Sequence, residues 1–214
     1  MHIAVLGTGG VGHAFAGAFH KLGHDVIMGA RTSDNPKALE WAAASGGRAG
    51  SFAEAVDGAD AVILAVAGEH AASALGAAGA ALDGKVVLDI TNWLDFSGGF
   101  PPKVVVPEEG SLGAHLQAKF PQAKFVKTLN TMNNAVMVEP GLVPGGHTVF
   151  LSGDHEDAKS LARRLLAELG WADDDVLDLG GIETANGPEQ FIHLWLRVQM
   201  ARRDKNIQIR LVTD

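Results

Sequence analysis

HIAVLGTGGVG, residues 2–12, joins a short apolar run to three glycines at Gly7, Gly9 and Gly12. Apolar side chains then repeat at helical spacing, which predicts a helix over 11–22 directly after a buried strand. In that setting the first glycine allows a tight turn, the second lets the backbone approach a pyrophosphate held by the helix N-terminus, and the third lets helix and strand pack closely. A glycine-rich turn without a ligand is the alternative. The predicted phosphate-binding residues are Gly7, Thr8, Gly9, Gly10, Val11 and Gly12.

The rest of the chain alternates short apolar runs with helical stripes, the pattern of a parallel sheet flanked by helices. The predicted strands span 2–6, 25–28, 61–66, 85–90, 124–129, 148–151 and 175–179, and an edge strand is expected at 206–212. The predicted helices span 11–22, 154–169 and 188–203, with others beginning at Pro36, at a capping-box pattern of Ser51 and Glu54, and near Glu69. The predicted fold class is therefore α/β: a Rossmann-type, doubly wound, mostly parallel sheet with a small C-terminal helical extension.

The composition excludes several classes of protein. The 214 residues include 17 Lys plus Arg and 25 Asp plus Glu, and the formal net charge of −8 argues against a dedicated nucleic-acid binder. The absence of Cys excludes disulfides, thiolate metal sites and a Cys nucleophile, and the absence of Tyr excludes a Tyr acid. No apolar run approaches the roughly 18 residues of a membrane-spanning helix, and no basic leader precedes the first apolar run. We therefore expect a cytoplasmic protein that acts on a small molecule, with no membrane or nucleic-acid partner.

The second predicted strand ends without the acidic residue that selects NAD. In NAD sites an acid at this tip, roughly 20 residues after the first glycine, binds the ribose hydroxyls. Asp25 lies in that window but precedes the strand's apolar residues. The tip instead holds Arg31, Thr32 and Ser33, which can form charge-assisted hydrogen bonds with a phosphate. The sequence therefore predicts a preference for NADP, and a solvated Arg31 in a loop is the alternative.

Further candidate residues follow the carboxyl ends of the other predicted strands, where open parallel sheets bind their ligands. A nicotinamide needs a hydrogen bond to its carboxamide, which Asn92 or Asn130 can supply, and a flat apolar wall, which Val66 or Met132 can supply. His70 and Asn130 are candidates for a catalytic role, although His70 can equally bind a ribose or a phosphate. The cofactor-binding residues predicted here are Ala65, Val66, Ala67, His70, Thr91, Asn92, Asn130 and Met132. No set of His, Asp and Glu has the spacing of metal ligands.

Several segments together resemble one family of enzymes. GTGGVG at 7–12, GARTSD at 29–34, GEHA at 68–71, DITNWLDFSGGFPP at 89–102 and KTLNTMNN at 127–134 are similar to the NADPH-dependent coenzyme F420 reductases, also described as deazaflavin:NADP oxidoreductases. The similarity extends through about residue 150 and more loosely through the final helix and the tail. The resemblance implies a Rossmann domain with a small C-terminal extension. It also implies hydride transfer between NADP and a deazaflavin bound face to face, in which the cofactors carry the chemistry.

From these observations we expect residues 1–152 to form an NADP-binding Rossmann domain and residues 153–214 to complete the sheet and the substrate cleft. The main functional hypothesis is an NADP-dependent oxidoreductase that transfers a hydride between NADPH and a deazaflavin or flavin-like acceptor. A reductase of a small imine or oxo substrate is one alternative, but such enzymes usually add a larger helical domain, and only about 60 residues follow Ser152. A non-catalytic NADP(H) sensor is the other. The apolar final helix can wall the cleft or pack across a dimer axis, and we expect a homodimer.

Overall fold

The computed structural model describes residues 1–203 and 205–212, and its centre is an eight-stranded sheet in the order β10-β9-β8-β5-β4-β1-β2-β3. The strands are β1 (His2–Leu6), β2 (Asp25–Ala30), β3 (Arg48–Ser51), β4 (Ala61–Leu64), β5 (Val86–Asp89), β6 (Leu94–Asp95), β7 (Lys103–Val104), β8 (Lys124–Thr128), β9 (Val149–Ser152) and β10 (Val176–Asp178). Strands β6 and β7 form a separate antiparallel pair in the loop after β5. The run β3-β2-β1-β4-β5-β8 is parallel and has the Rossmann order, which confirms the predicted fold class. Strands β9 and β10 run in the opposite direction, because β9 pairs antiparallel with β8.

Helices cover both faces of the sheet. They are α1 (Gly10–Lys21), α2 (Pro36–Ser45), α3 (Phe52–Val56), α4 (Gly68–Ala78), α5 (Leu112–Lys119), α6 (Asn134–Val138), α7 (Glu156–Glu168) and α8 (Asn186–Ala201), with short 3₁₀ turns at Gly79–Leu82, Pro140–Leu142, Asp173–Asp175 and Ile182–Ala185. Because successive strand residues point to opposite faces, Ile3 and Val5 pack in the core under α1, α2, α6 and α7. Ala4 and Leu6 pack in the second core, under α3, α4 and α5. Burial on both faces explains why the strands are apolar runs without alternation.

Local signals set several helix starts as predicted. Asn35 caps α2, its side chain accepting hydrogen bonds from the amides of Lys37 and Ala38. Ser51 and Glu54 form the predicted capping box at α3, where the Ser51 amide donates to the Glu54 carboxylate at 2.7 Å. These turns bring the ends of β2 and β3 to the edge of the sheet at which β1 and β4 also end.

Other parts of the sequence prediction were incomplete or wrong. Strand β3, helices α5 and α6, and the β6–β7 pair in the loop after β5 are additional elements. The predicted edge strand at 206–212 is wrong: no strand forms in residues 205–212. Instead the Thr148 amide donates to the Ile209 carbonyl at 2.9 Å, and the Leu211 amide donates to the Thr148 hydroxyl. The tail therefore lies beside the start of β9 without forming a ladder.

No helix within the described residues is long and apolar enough to cross a membrane. The parallel strands β1, β2, β4, β5 and β8 all end at one edge of the sheet. We call this the carboxyl edge, and the loops that follow these five strands are brought together there.

Candidate active site

The glycine loop between β1 and α1 is packed so closely that two of its glycines have no room for a side chain. Gly7 has a φ of +127°, and a Cβ at this position would lie 2.5 Å from the Ala65 carbonyl oxygen. A Cβ on Gly12 would lie 2.0 Å from the Gly7 carbonyl oxygen, because α1 packs directly on the turn. A Cβ on Gly9 would meet no heavy atom within 4 Å. Gly7 and Gly12 thus fit the predicted structural roles, whereas Gly9 faces open space beside the start of a helix, where an anion can approach.

A cavity of about 310 Å³, the glycine-loop cavity, lies against this turn at the carboxyl edge. Arg31, at the end of β2, lines it and is exposed, and it makes no ion pair with any described residue. Thr32 and Ser33 are exposed in the turn that follows and are not part of the lining. His70 lines the same cavity from α4, with its side chain 55% exposed. The lining consists of Gly7, Thr8, Gly9, Ala30, Arg31, Asn35, Phe52, Ala65, Val66, Ala67, His70, Ser73 and Ala74.

A second cavity of about 390 Å³, the asparagine cavity, adjoins the first and shares Ala65 and Val66 with it. Its lining is apolar except for backbone, Thr91 and three asparagines, and within the described part of the chain it includes no ionisable side chain. The lining consists of Gly10, Val11, Ala65, Val66, Ile90, Thr91, Asn92, Leu94, Asn130, Met132, Asn134, Met137 and Ile192. The sequence predictions for Thr91, Asn92, Asn130 and Met132 therefore converge on one cavity, and His70 lies in the other.

Asn92 and Asn130 both line the asparagine cavity and are hydrogen-bonded to each other. The Asn92 side-chain amide donates to the Asn130 carbonyl at 2.8 Å, and the Asn130 side-chain amide donates to the Asn92 Oδ1 at 2.9 Å. Leu129, directly before Asn130, has a φ of +58°, which is rare for a residue with a side chain. After this sharp turn at the end of β8, Asn130 contacts Asn92 in the loop that follows β5. The paired amides thus have a fixed orientation at the edge of the cavity.

A buried ammonium group lies beneath this pair. Lys127 of β8 has a fully buried side chain, and its Nζ lies 3.0 Å from Asp89 Oδ2, 2.8 Å from Glu189 Oε1 and 2.6 Å from the Thr91 carbonyl oxygen. Burial lowers the pKa of a lysine, but here the charges of Asp89 and Glu189 outweigh burial and raise the pKa of Lys127 above its usual value. Lys127 is therefore charged, and its three donors each have an acceptor.

Several lining residues were not predicted from the sequence. Asn134 of α6 donates to the Gly10 carbonyl at 3.1 Å and so connects the glycine loop to the asparagine cavity. Ile192 reaches the cavity from α8, the apolar helix whose position the sequence left open. Gly68 lines neither cavity but lets α4 pack directly on the loop after β5, since a Cβ there would lie 2.4 Å from the Asn92 carbonyl oxygen. Asn134 could have been predicted as a site residue because it belongs to the KTLNTMNN segment at 127–134, whereas the positions of Ile192 and Gly68 depend on long-range packing.

A larger groove, of about 580 Å³, lies between α1 and α6 and is lined in part by His13, Lys21 and Glu139. None of the cofactor-binding residues predicted from the sequence lines this groove. No cluster of three or more potential metal-binding side chains occurs among residues 1–203 and 205–212.

Comparisons with known proteins point to one family. Residues 2–93 match the family model described as "NADP oxidoreductase coenzyme F420-dependent". The F420-dependent NADP reductase of Methanothermobacter marburgensis is 29% identical over 99% of this chain and 98% of its own length. A crystal structure from Arthrobacter sp. FB24, of a candidate F420-dependent NADP reductase, is 42% identical, covers all of both chains and superposes with a TM-score of 0.92. A protein of Sinorhizobium meliloti is 28% identical over 89% of this chain and 90% of its own, with a TM-score of 0.71.

Proposed function

The chain belongs to the family of coenzyme F420-dependent NADP oxidoreductases, and from this premise we propose how its two cavities divide the work of one reaction. The protein is an NADP-dependent oxidoreductase that uses coenzyme F420, a deazaflavin, as the second substrate. The reaction passes a hydride between NADPH and the deazaflavin ring, in either direction, and the proton that accompanies it is exchanged with solvent. In the proposal, the glycine-loop cavity holds the phosphates and adenosine end of NADP, and the asparagine cavity holds the two reacting rings. The observation that carries this division is that the two cavities adjoin at Ala65 and Val66, on the carboxyl edge.

The glycine-loop cavity fits the charged end of NADP. The open space beside Gly9 lets a pyrophosphate reach the N-terminus of α1, while the tight packing of Gly7 and Gly12 keeps the turn in place. The guanidinium of Arg31 is free to pair with the 2′-phosphate that distinguishes NADP from NAD. Thr32 and Ser33 follow Arg31 and can donate their hydroxyls to the same phosphate. His70 lies in this cavity, which supports a role in binding ribose or phosphate rather than in proton transfer to an acceptor.

The asparagine cavity fits a reaction between two rings. Val66 and Met132 provide apolar contact for a nicotinamide, and the Asn92–Asn130 pair presents amide groups for its carboxamide. Among the described residues the lining offers no acid or base, so its side chains can position the rings and exclude water but cannot transfer protons. Transfer of a hydride between stacked rings depends on closeness and orientation, which is what such a cavity provides. In this proposal Asn130 binds and orients its ligand and is not a proton donor.

Reduction of a small imine or oxo compound is less consistent with this site. Reduction of either acceptor takes a hydride and a proton, but a deazaflavin ring delocalises the charge that it gains and can take its proton from solvent. A small imine or oxo compound concentrates the charge on one nitrogen or oxygen, so a Lys, Ser or Thr acid would have to reach that atom. In the described part of the chain the hydroxyl in the asparagine cavity, that of Thr91, donates to Asp89 at 2.6 Å. The nearby Lys127 has no free donor. The absence of an acid disfavours this alternative.

The test is NADPH oxidation, followed by absorbance, with a panel of acceptors: F420, flavin mononucleotide, a ferric chelate, a cyclic imine and a 2-oxo acid. We expect rapid reduction of F420, slower or no reduction of free flavin, and no turnover of the imine or the oxo acid. Turnover of the imine without reduction of F420 would establish the first alternative. Tight NADPH binding without turnover of any acceptor would establish the sensor.

The remaining parts of the proposal concern assembly and location. Residues 1–152 bind the nucleotide, and the region from residue 153 onward completes the sheet with β10 and walls the asparagine cavity with Ile192. Leu194 and Val198 leave an apolar patch on α8, 57% and 41% exposed, which supports a homodimer. Light scattering coupled to size-exclusion chromatography measures this state, and a monomer at micromolar concentration contradicts it. The proposed location is the cytoplasm, where cell fractionation should recover the protein.

A further inference from the structure

The buried charge cluster of Lys127, Asp89 and Glu189 joins three separate segments that wall the asparagine cavity. Asp89 ends β5, Lys127 lies in β8, and Glu189 lies in the first turns of α8. All three side chains are almost completely buried, at 0% to 4% exposure. The cluster lies outside both cavities, so none of its members touches a bound nucleotide or acceptor in the proposed site.

Every polar atom of the cluster that faces the interior has a partner. Besides binding Lys127, Asp89 accepts hydrogen bonds through Oδ1 from the amide and the hydroxyl of Thr91, at 2.9 and 2.6 Å. Glu189 accepts from the amides of Leu112 and Gly113, at the start of α5, at 2.7 and 2.9 Å. One ammonium and two carboxylates leave a formal charge of −1, which the positive end of α5 offsets. The cluster is therefore a complete polar network rather than an isolated ion pair.

Such a network is costly to bury, and its stabilising value alone does not account for it. A buried ion pair gains little over apolar side chains of the same volume, because both charges lose their hydration. The contacts of this network instead converge on Thr91. The amide and hydroxyl of Thr91 bind Asp89, and its carbonyl oxygen binds Lys127, so all of its polar groups are fixed.

Thr91 passes this constraint to the cavity. Thr91 lines the asparagine cavity, and the next residue, Asn92, exchanges two hydrogen bonds with Asn130. Lys127 itself lies on β8, three residues before Asn130, so the strand that carries the ammonium leads into the second member of the pair. On α8, Glu189 precedes Ile192 by three residues, which is nearly one helical turn, and Ile192 lines the cavity. One buried ammonium therefore connects the three segments that wall the cavity.

Resting on the proposed function, we propose that Lys127 is a positioning residue for hydride transfer, which acts through Thr91 and Glu189 to hold the Asn92–Asn130 pair and Ile192 at the spacing the two rings require. The role requires no contact between Lys127 and either ring. A displacement of about 1 Å can cost roughly a hundredfold in rate when reacting groups are held at close range. Binding of NADPH depends mainly on the glycine-loop cavity, which the cluster does not line. Substitution of Lys127 should therefore lower the rate of hydride transfer much more than the affinity for NADPH.

The test compares wild type with Lys127→Met and Glu189→Gln, and with Lys159→Met as the matched control. Lys159 is also buried and also binds two carboxylates, those of Glu156 and Asp178, but it lies on α7, where it takes no part in either cavity. For each protein we would measure the NADPH dissociation constant, the single-turnover rate constant for reduction of F420, and its deuterium isotope effect with NADPH labelled at the transferred position. A merely structural role lowers the folded fraction and thus the amplitude, but it leaves the rate constant of the folded molecules unchanged.

We expect Lys127→Met to lower the single-turnover rate constant about 10- to 100-fold, with an NADPH dissociation constant within about twofold of wild type. The overall turnover should then show the full isotope effect, because hydride transfer becomes the slow step. Glu189→Gln keeps the ammonium and its pairing with Asp89, so a smaller loss, about three- to tenfold, is expected. Lys159→Met should keep the wild-type rate constant even if its Tm falls.

A wild-type rate constant in Lys127→Met overturns the inference and leaves the proposed function intact. If Lys127→Met fails to fold by circular dichroism, Glu189→Gln decides the matter, and an unchanged rate constant there overturns the inference. Equal losses in Lys159→Met and Lys127→Met also overturn it, since the effect then follows from burial in general. A wild-type protein that binds NADPH but does not reduce F420 contradicts the proposed function and this inference with it.

Discussion

Three alanine substitutions in and after the glycine loop should separate nucleotide binding from folding. A methyl group on Gly9 would meet no atom within 4 Å, one on Gly12 would lie 2.0 Å from the Gly7 carbonyl oxygen, and one on Gly17 would meet no atom within 4 Å. Gly9 has a φ of −84°, which alanine adopts without strain. Gly17 lies further along α1, on a turn that neither cavity includes. The same added methyl group therefore tests a ligand space, a packing contact and a control position.

The stability changes follow from these distances. At Gly12 the obstacle is a backbone oxygen that cannot rotate away, so the cost lies near the upper end of the roughly 1–3 kcal/mol typical of overpacking. The better helix propensity of alanine returns about 1 kcal/mol, which leaves a net loss of about 2 kcal/mol. For a chain of this size each kcal/mol shifts the Tm by roughly 2–4 °C, so Gly12→Ala should lower it by about 4–8 °C. Gly17→Ala should raise the Tm by about 2–4 °C.

The binding change should appear at Gly9 alone. In Gly9→Ala the methyl group occupies the space that we assign to the pyrophosphate, and the loss of one charge-assisted hydrogen bond is worth roughly 1.5–3 kcal/mol. NADPH should therefore bind about 10- to 150-fold more weakly, with a Tm that stays close to the wild-type value. Thermal unfolding followed by circular dichroism gives the Tm, and a fluorescence titration gives the dissociation constant. Gly17→Ala should bind NADPH as wild type does.

Two results would refute this reasoning. Wild-type NADPH affinity in Gly9→Ala would mean that the pyrophosphate does not lie against this turn. An undiminished Tm in Gly12→Ala would mean that α1 does not pack on the Gly7 carbonyl as closely as the structure shows.

Three further predictions concern single side chains. Arg31→Ala should weaken NADPH binding about 10- to 100-fold with little effect on NADH binding. Arg48→Ala removes an equal charge at the opposite edge of the sheet and should leave both dissociation constants unchanged. An unaltered preference for NADPH over NADH in Arg31→Ala would contradict the assignment of Arg31 to the 2′-phosphate. His70→Ala should raise the KM for NADPH a few fold and keep the pH profile of kcat, and a loss of about 100-fold in kcat would instead identify His70 as an acid. Burial lowers the pKa of His147 below its usual 6.5, although Asp175 acts to raise it, so the unfolded chain binds the proton more readily. The contribution of His147 to the free energy of unfolding is then fully present above about pH 6.5 and is lost as the pH drops through the folded-state pKa. Between pH 7 and 5.5 the Tm of His147→Phe should therefore fall less than the Tm of wild type, and equal falls would contradict the lowered pKa.

Much of the fold could be predicted because its signals are local. The turn at 7–12, the capping box at Ser51 and the apolar strands depend on neighbours in sequence, and each predicted an element that the structure contains. Strand β3 was missed because its residues, Arg-Ala-Gly-Ser, have no apolar run, and pairing with β2 decides its conformation. The tail at 206–212 alternates like a strand but lies beside Thr148 without a ladder, since alternation alone does not provide a partner strand.

The sequence by itself determined the kind of protein. It predicted a Rossmann sheet, a phosphate-binding turn, a second strand that is followed by Arg31 instead of an acidic residue, and the family resemblance that the comparisons support. These features are local because backbone geometry and charge act over a few residues. Tertiary structure alone decided which predicted residues share a cavity, separating His70 from Asn130. It also decided that Lys127, one polar residue in an apolar strand, lies between Asp89 and Glu189, which are 38 and 62 positions away. No local pattern encodes such contacts, because the burial that makes a charge cluster necessary exists only once β5, β8 and α8 are packed together.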